Sequence, residues 1–117
     1  MEPILVGPDG GETVPRGPRA HRILVELPEL EVIELRFGPD FEGVAPHVHE
    51  DHVDSFYVLE GEAEFTVGDE QIRAGPGTYV AAPIGARHGF RNVGPGELRM
   101  LNIHGPNTGF AERLRRA

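Results

Sequence analysis

Turn-forming glycines and prolines divide most of this sequence into short β-prone segments, spaced about eight to twelve residues apart. The segments alternate apolar and polar residues or carry β-branched runs, and none has the length or period of a core helix. The predicted strands are Arg22–Leu27, Leu30–Phe37, Ser55–Leu59, Glu62–Val67, Gln71–Ala74, Thr78–Ala82, His88–Val93 and Leu98–His104. Since 117 residues suffice for one domain only, the sequence predicts an all-β, single-domain antiparallel sandwich or barrel over residues 22–106.

The two ends of the chain depart from this pattern. Residues 1–21 hold four prolines and four glycines, which predicts an extended arm with one short strand, Ile4–Val6. A β-prone segment in such an arm favours pairing with the sheet edge of a second subunit, so we expect a homodimer. Residues 107–117 predict a short helical tail, Gly109–Arg116, capped by Asn107 or Thr108 and acting as a lid or edge cover.

Composition excludes several kinds of chemistry. The chain has no cysteine and no lysine, and its single serine, Ser55, does not lie in a nucleophile-elbow motif. Carboxylates, arginines and six histidines remain. A net charge of −8 argues against nucleic acid as a partner. The absence of a long apolar run or a signal-like start predicts no membrane association and a cytoplasmic location.

Opposite charges are concentrated in opposite halves of the chain. Residues 1–70 carry 17 acids and 4 arginines, whereas residues 71–117 carry 2 acids and 7 arginines. In a β domain whose halves interleave, this distribution predicts cross-strand pairs between arginine and carboxylate.

The histidines suggest a metal site. His47 and His49 are two residues apart, a spacing that on a strand directs both imidazoles to one face. Asp54 follows just before the next strand, and His88 opens a later one. A His-x-His pair with a remote aspartate and histidine is a plausible set of ligands for one ion, whereas the pair alone would more often be a solvated loop.

Two uninterrupted motifs contain these residues. The first reads H-x-H-x4-D-x6-G from His47, and the second reads G-x5-P-x-G-x2-H-x3-N from Gly77. Together they resemble the two signature motifs of the cupin superfamily, and more closely its small single-domain bacterial members, over residues 23–105. The resemblance implies a jelly-roll β-barrel that encloses one divalent metal ion held by His47, His49, Asp54 and His88. Two positions depart from the family pattern, since Phe41 replaces its leading glycine and Asp54 replaces its usual, longer glutamate.

The sequence leaves the ion and the activity open. A sulfur-free set of three histidines and one carboxylate suits Fe, Mn, Ni, Co or Zn. By resemblance, the leading hypothesis is an oxygenase acting on a small organic ligand. The alternatives are a non-catalytic module that binds or senses a small molecule, and a metal-dependent isomerase or lyase.

Other candidate residues are assigned ordinary roles. His52 is expected at the surface or rim rather than as a substitute ligand, and His104 at a strand edge rather than inside the barrel as a substrate contact. His21 is expected in solvent. The aromatic residues Phe56, Phe65, Tyr79 and Phe90 are expected to fill the barrel, where some of them could also wall a pocket.

Overall fold

Ten antiparallel strands form two facing sheets in a computed structural model that describes the whole chain, residues 1–117. The six-stranded sheet has the order β1-β2-β3-β10-β5-β8, and the four-stranded sheet has the order β4-β9-β6-β7. One short helix, α1, follows the last strand. The elements are β1 Glu12–Arg16, β2 Arg19–Glu26, β3 Glu31–Phe37, β4 Val44–His47, β5 Val53–Glu60, β6 Ala63–Val67, β7 Glu70–Ala74, β8 Tyr79–Ala82, β9 His88–Asn92, β10 Leu98–Gly105 and α1 Phe110–Arg116.

The predicted all-β jelly-roll architecture with a C-terminal helix is confirmed, and all eight predicted strands between residues 22 and 104 form. The strand predicted over Ile4–Val6 does not form. Residues 12–21 of the predicted arm instead make β1 and the start of β2, a hairpin on the sheet edge. Because of its prolines, this segment was not predicted to be a strand. Pro15 is tolerated because β1 is an edge strand, and one side of its backbone needs no partner.

Strand β4 is also absent from the predicted strands, and a glycine allows it to pair. A Cβ atom at Gly89 on β9 would overlap the carbonyl oxygen of Val44 on β4. The absent side chain therefore lets the two backbones approach closely enough to bring His47 opposite His88 in the register.

Two apolar clusters stabilise the fold. The larger one fills the space between the sheets: Phe56, Val58, Ala63, Phe65, Ala74, Val80, Phe90, Leu98 and Met100. The smaller one lies under α1 and consists of Val14, Ile23, Ile33, Leu35, Ala111 and Leu114. The larger cluster occupies one end of the sandwich, which leaves the other end for polar side chains.

The predicted cross-strand ion pairs are present. Four of the seven arginines after residue 70 bind acids from the first seventy residues: Arg73 with Glu62, Arg91 with Glu64, Arg99 with Glu34, and Arg115 with Glu12 and Glu26. The unequal charge of the two halves is thus balanced locally across neighbouring elements.

A buried carboxylate from β3 anchors helix α1. Glu31, fully buried, accepts hydrogen bonds from the Ala111 N–H at 2.9 Å and the Thr108 hydroxyl at 3.0 Å. The predicted caps act only in part, because the residue at the cap position is Gly109 in a left-handed conformation, while the Thr108 hydroxyl accepts from the Phe110 N–H. At seven residues, α1 is too short to cross a membrane.

Candidate metal centre

The four predicted ligands come together between the sheets at their polar end. His47 ends β4, His49 lies in the loop after it, Asp54 lies on β5, and His88 begins β9. One nitrogen or oxygen atom from each lies within 4.8 Å of the corresponding atoms of the other three. Strands from both sheets thus contribute to one cluster, although its members lie up to 41 residues apart in the sequence.

Backbone carbonyls orient two of these histidines. The Nδ1–H of His47 donates to the Ala45 carbonyl and that of His88 donates to the Ala86 carbonyl, each at 2.9 Å. Since a carbonyl oxygen can only accept, both rings present Nε2 to the cluster. This arrangement is typical of histidines that bind metals, because it fixes the tautomer and the ring orientation.

The spacing of the donor atoms is within about 0.2 Å of the spacing expected around one metal ion. Nε2 of His47 lies 2.9 Å from Nε2 of His49, and Nε2 of His88 lies 2.9 Å from Oδ2 of Asp54. Nε2 of His49 lies 3.6 Å from the same Oδ2. Ligands at roughly 2.1 Å from one ion, and about 90° to 110° apart, are separated by roughly 3.0–3.4 Å. The carboxylate of Asp54 therefore reaches the cluster despite its short side chain.

The charge states also suit a cation. Burial, together with repulsion from His52 and His47, lowers the pKa of His49 to about 4. Burial alone would raise the pKa of Asp54, but hydrogen bonds from His104 and Asn102 outweigh it and bring that pKa to about 2. At neutral pH the imidazole of His49 is thus uncharged and the carboxylate is ionised, which are the forms that bind metal.

A buried polar chain supports Asp54 from behind. Its Oδ1 accepts from Nδ2 of Asn102 at 2.7 Å and lies 3.1 Å from Nε2 of His104. Nδ1 of His104 in turn donates to Glu31 at 2.8 Å. The chain runs from the cluster to the residue that anchors α1, so it couples the position of Asp54 to that of the helix.

The expected roles of three histidines are wrong. His21, His52 and His104 are buried, with 4%, 6% and 5% of their surface exposed. His104 points inward because Leu98, Met100 and Asn102 share its face of β10, an alternation that was visible in the sequence. His52 does not obey strand alternation because residues 48–52 form an irregular loop. Burial lowers the pKa of His21 to about 4, so this side chain is uncharged at neutral pH.

His52 and His104 also form, with Asp54, a second group whose donor atoms lie within 4.8 Å of one another. His52 packs against His49, with a ring-centroid distance of 4.1 Å. The candidate centre is therefore surrounded by more imidazoles than the four-residue pattern predicts.

A cavity of about 310 Å³ opens beside the cluster. Phe56 and Phe90 line it as well as belonging to the core, whereas Phe65 lies in the core alone. Tyr79 does not fill the barrel; its ring is 55% exposed and its hydroxyl donates to Ser55. The remaining aromatic lining comes from Phe37, Phe41 and Phe110. The site thus combines converging metal ligands with a largely aromatic pocket.

Comparison with known proteins agrees with this geometry. The family model described as "Cupin domain" matches residues 34–104, which is more than half of the chain. The chain belongs to the cupin family. It is 25% identical over 92 residues to quercetin 2,3-dioxygenase of Bacillus subtilis, a match that covers 76% of this chain but 27% of that protein. This cupin therefore spans about a quarter of the length of its curated relative.

Solved cupin structures superpose over most of the chain. KdgF from a Halomonas species gives a TM-score of 0.74 at 24% identity, covering 86% of this chain and 90% of that one. An RmlC-like cupin from Shewanella frigidimarina gives a TM-score of 0.75 at 21% identity, covering 95% of this chain and 96% of that one. At these identities the likeness establishes the fold.

Proposed function

We propose that this cupin binds one divalent metal ion through His47, His49, Asp54 and His88 and uses it as an oxygenase on a small organic ligand. The observation that carries the proposal is the convergence of the four donor atoms on the wall of a pocket lined by phenylalanines. A structural metal needs no adjoining cavity, whereas a reactive one must be reached by a substrate.

Each part of the site has a role in this proposal. A redox-active ion bound there would supply adjacent coordination positions for dioxygen and the substrate. The carbonyls of Ala45 and Ala86 hold the imidazoles of His47 and His88 in the binding orientation. Asn102 and His104 hold the carboxylate of Asp54, and the phenylalanines exclude bulk water from the pocket. The relative named as a dioxygenase favours this chemistry.

A metal-dependent isomerase or lyase is the second candidate, and one observation favours it. His52 and His104, which are not among the four predicted ligands, both line the pocket. Both ring nitrogens of His104 contact carboxylates, so His52, whose Nδ1 lies 2.8 Å from Oδ1 of Asp51, is the imidazole available for proton transfer. Such chemistry needs no dioxygen, so the two candidates can be separated experimentally.

The test begins with elemental analysis of protein purified without added metal. The protein is then reconstituted separately with Fe(II), Mn(II), Ni(II), Co(II) or Zn(II), and oxygen uptake is measured against small thiols, diketones, phenols and flavonoids. We expect turnover with a redox-active ion and none with zinc, because four protein ligands close a tetrahedral zinc site. His47→Ala should abolish both metal binding and turnover, whereas Glu50→Ala, an exposed change in the same loop, should preserve both.

The outcomes separate the alternatives. Turnover without dioxygen, or equal turnover with zinc, refutes the oxygenase and supports the isomerase or lyase. Metal binding with no turnover, accompanied by a ligand-induced rise in melting temperature, indicates a non-catalytic binding module. Metal binding that survives His47→Ala would contradict the proposed site itself.

A further inference from the structure

Arg113 is the one arginine that lines the cavity beside the candidate metal centre. It projects from α1, and its Nη1 donates to the Thr108 carbonyl at 2.9 Å. Its guanidinium carbon lies 5.8 Å from the centre of the Phe110 ring, which also lines the cavity. The helix therefore contributes both a cation and an aromatic face to the pocket.

This guanidinium has no carboxylate partner within 4.0 Å. Arg115, two residues further along the same helix, by contrast binds Glu12, Glu26 and Glu112. A guanidinium carries five N–H donors, and a single carbonyl leaves most of those of Arg113 available. Their planar fork matches the two oxygens of a carboxylate.

The charges around the cavity favour an anionic ligand. The two buried carboxylates near it, Asp54 and Glu31, are already engaged by donors from Asn102, His104 and Ala111. A divalent ion on the four ligands would more than balance the charge of Asp54, and Arg113 adds a further positive charge. An anion entering the pocket would thus meet an excess of positive charge.

The shape of the cavity favours a planar ligand. Its volume of about 310 Å³ is at the small end of ligand pockets. Phe37 and Phe41 stack at a centroid distance of 4.0 Å on one side, and Phe56 and Phe90 lie behind them. Flat aromatic walls of this kind pack well against a ring.

We infer that the ligand of this pocket is a small aromatic carboxylic acid, whose carboxylate binds Arg113 while an oxygen at the opposite end of the ring faces the metal ion. The inference rests on the proposed function, because it places the ligand between Arg113 and the ion. It assigns Arg113 as the residue that selects acids over neutral analogues.

The test uses matched pairs of acid and amide. The probes are para-hydroxybenzoate, para-hydroxyphenylacetate and para-hydroxyphenylpropanoate, each compared with its neutral amide, so that three lengths sample the span from Arg113 to the ion. Binding to Co(II)-loaded protein is measured anaerobically by calorimetry and by the visible spectrum of the metal. The variants are Arg113→Gln and, as a matched control on the same helix, Arg116→Gln, since Arg116 is exposed and makes no ion pair.

We expect at least one acid to bind the wild type more tightly than its amide. Arg113→Gln should weaken the binding of that acid by about 3- to 10-fold, because solvent weakens the contact of an exposed guanidinium, and should change the binding of the amide by less than about 2-fold. Arg116→Gln should leave the binding of both the acid and the amide unchanged.

Two results would overturn the inference: acids that bind no better than their amides, or an Arg113→Gln change that weakens the binding of acid and amide equally. Failure of the proposed function looks different, because wild-type protein would then not hold Co(II), or would hold it equally well after His47→Ala.

Discussion

Replacing Glu31 tests whether the buried polar chain behind Asp54 anchors α1. Glu31 is fully buried and accepts from the Ala111 N–H at 2.9 Å, from Nδ1 of His104 at 2.8 Å and from the Thr108 hydroxyl at 3.0 Å. Glu31→Ala leaves two buried donors, on Ala111 and His104, without an acceptor. Each unsatisfied donor costs about 1–3 kcal/mol.

The expected loss of unfolding free energy is therefore about 4 kcal/mol, a large part of the roughly 5–15 kcal/mol that a small domain possesses. Glu31→Gln keeps the shape and one acceptor oxygen, so it should cost about half as much and remain folded. The measurement is urea unfolding followed by circular dichroism. Glu29→Ala serves as the control, since Glu29 is exposed and its carboxylate has no partner. Its effect should stay within about 0.5 kcal/mol.

The pH dependence adds a second readout. Burial opposes ionisation of Glu31, but hydrogen bonds from Ala111, His104 and Thr108 outweigh it and lower the pKa below the ordinary 4.5. A depressed carboxylate pKa stabilises the fold above pH 4.5, and this contribution is lost as the pH falls through the folded-state pKa. Glu31→Gln should therefore lose less stability in acid than the wild type. A Glu31→Ala variant as stable as the Glu29→Ala control would refute the anchoring role.

Three further predictions concern other parts of the molecule. Because burial and the charge of Arg16 lower the pKa of His21 from 6.5 to about 4, unfolding takes up a proton between these pH values. The wild type should lose about 3 kcal/mol of unfolding free energy as the pH falls through this window, and His21→Gln should lose less. Urea midpoints at several pH values compare the two proteins. Deleting residues 1–6, which include the exposed Ile4 and Leu5, should convert the predicted homodimer into a monomer; an unchanged sedimentation coefficient would contradict this. Gly89→Ala should destabilise the fold by about 1–3 kcal/mol and weaken metal binding, because its methyl group would push β4 and His47 away from β9; calorimetric metal titration together with thermal unfolding checks both effects.

Local patterns were sufficient for eight of the ten strands and for the fold class. Turn residues at short intervals mark where β-strands end, since proline fixes φ and glycine allows the positive φ that many turns need, whatever surrounds them. The period-two alternation of β10 places His104 on the same face as Met100 and Asn102, which the structure shows to be the inward face. The four candidate ligands were likewise proposed from the sequence, because the two motifs that contain them resemble the cupin signatures.

Tertiary structure decided what the remaining side chains do. Pro15 lies in an edge strand because β2 offers it a partner, and His52 is buried because an irregular loop folds over the cluster. Residues far apart in the sequence form the link from Glu31 through His104 to Asp54. The same is true of the pocket lining, to which α1 contributes Arg113. Such contacts depend on how β3, β5, β10 and α1 pack together, and local sequence periodicity carries no information about that packing. The sequence thus determined eight of the ten strands and the candidate ligands, whereas the tertiary packing decided the two other strands and what surrounds the ligands.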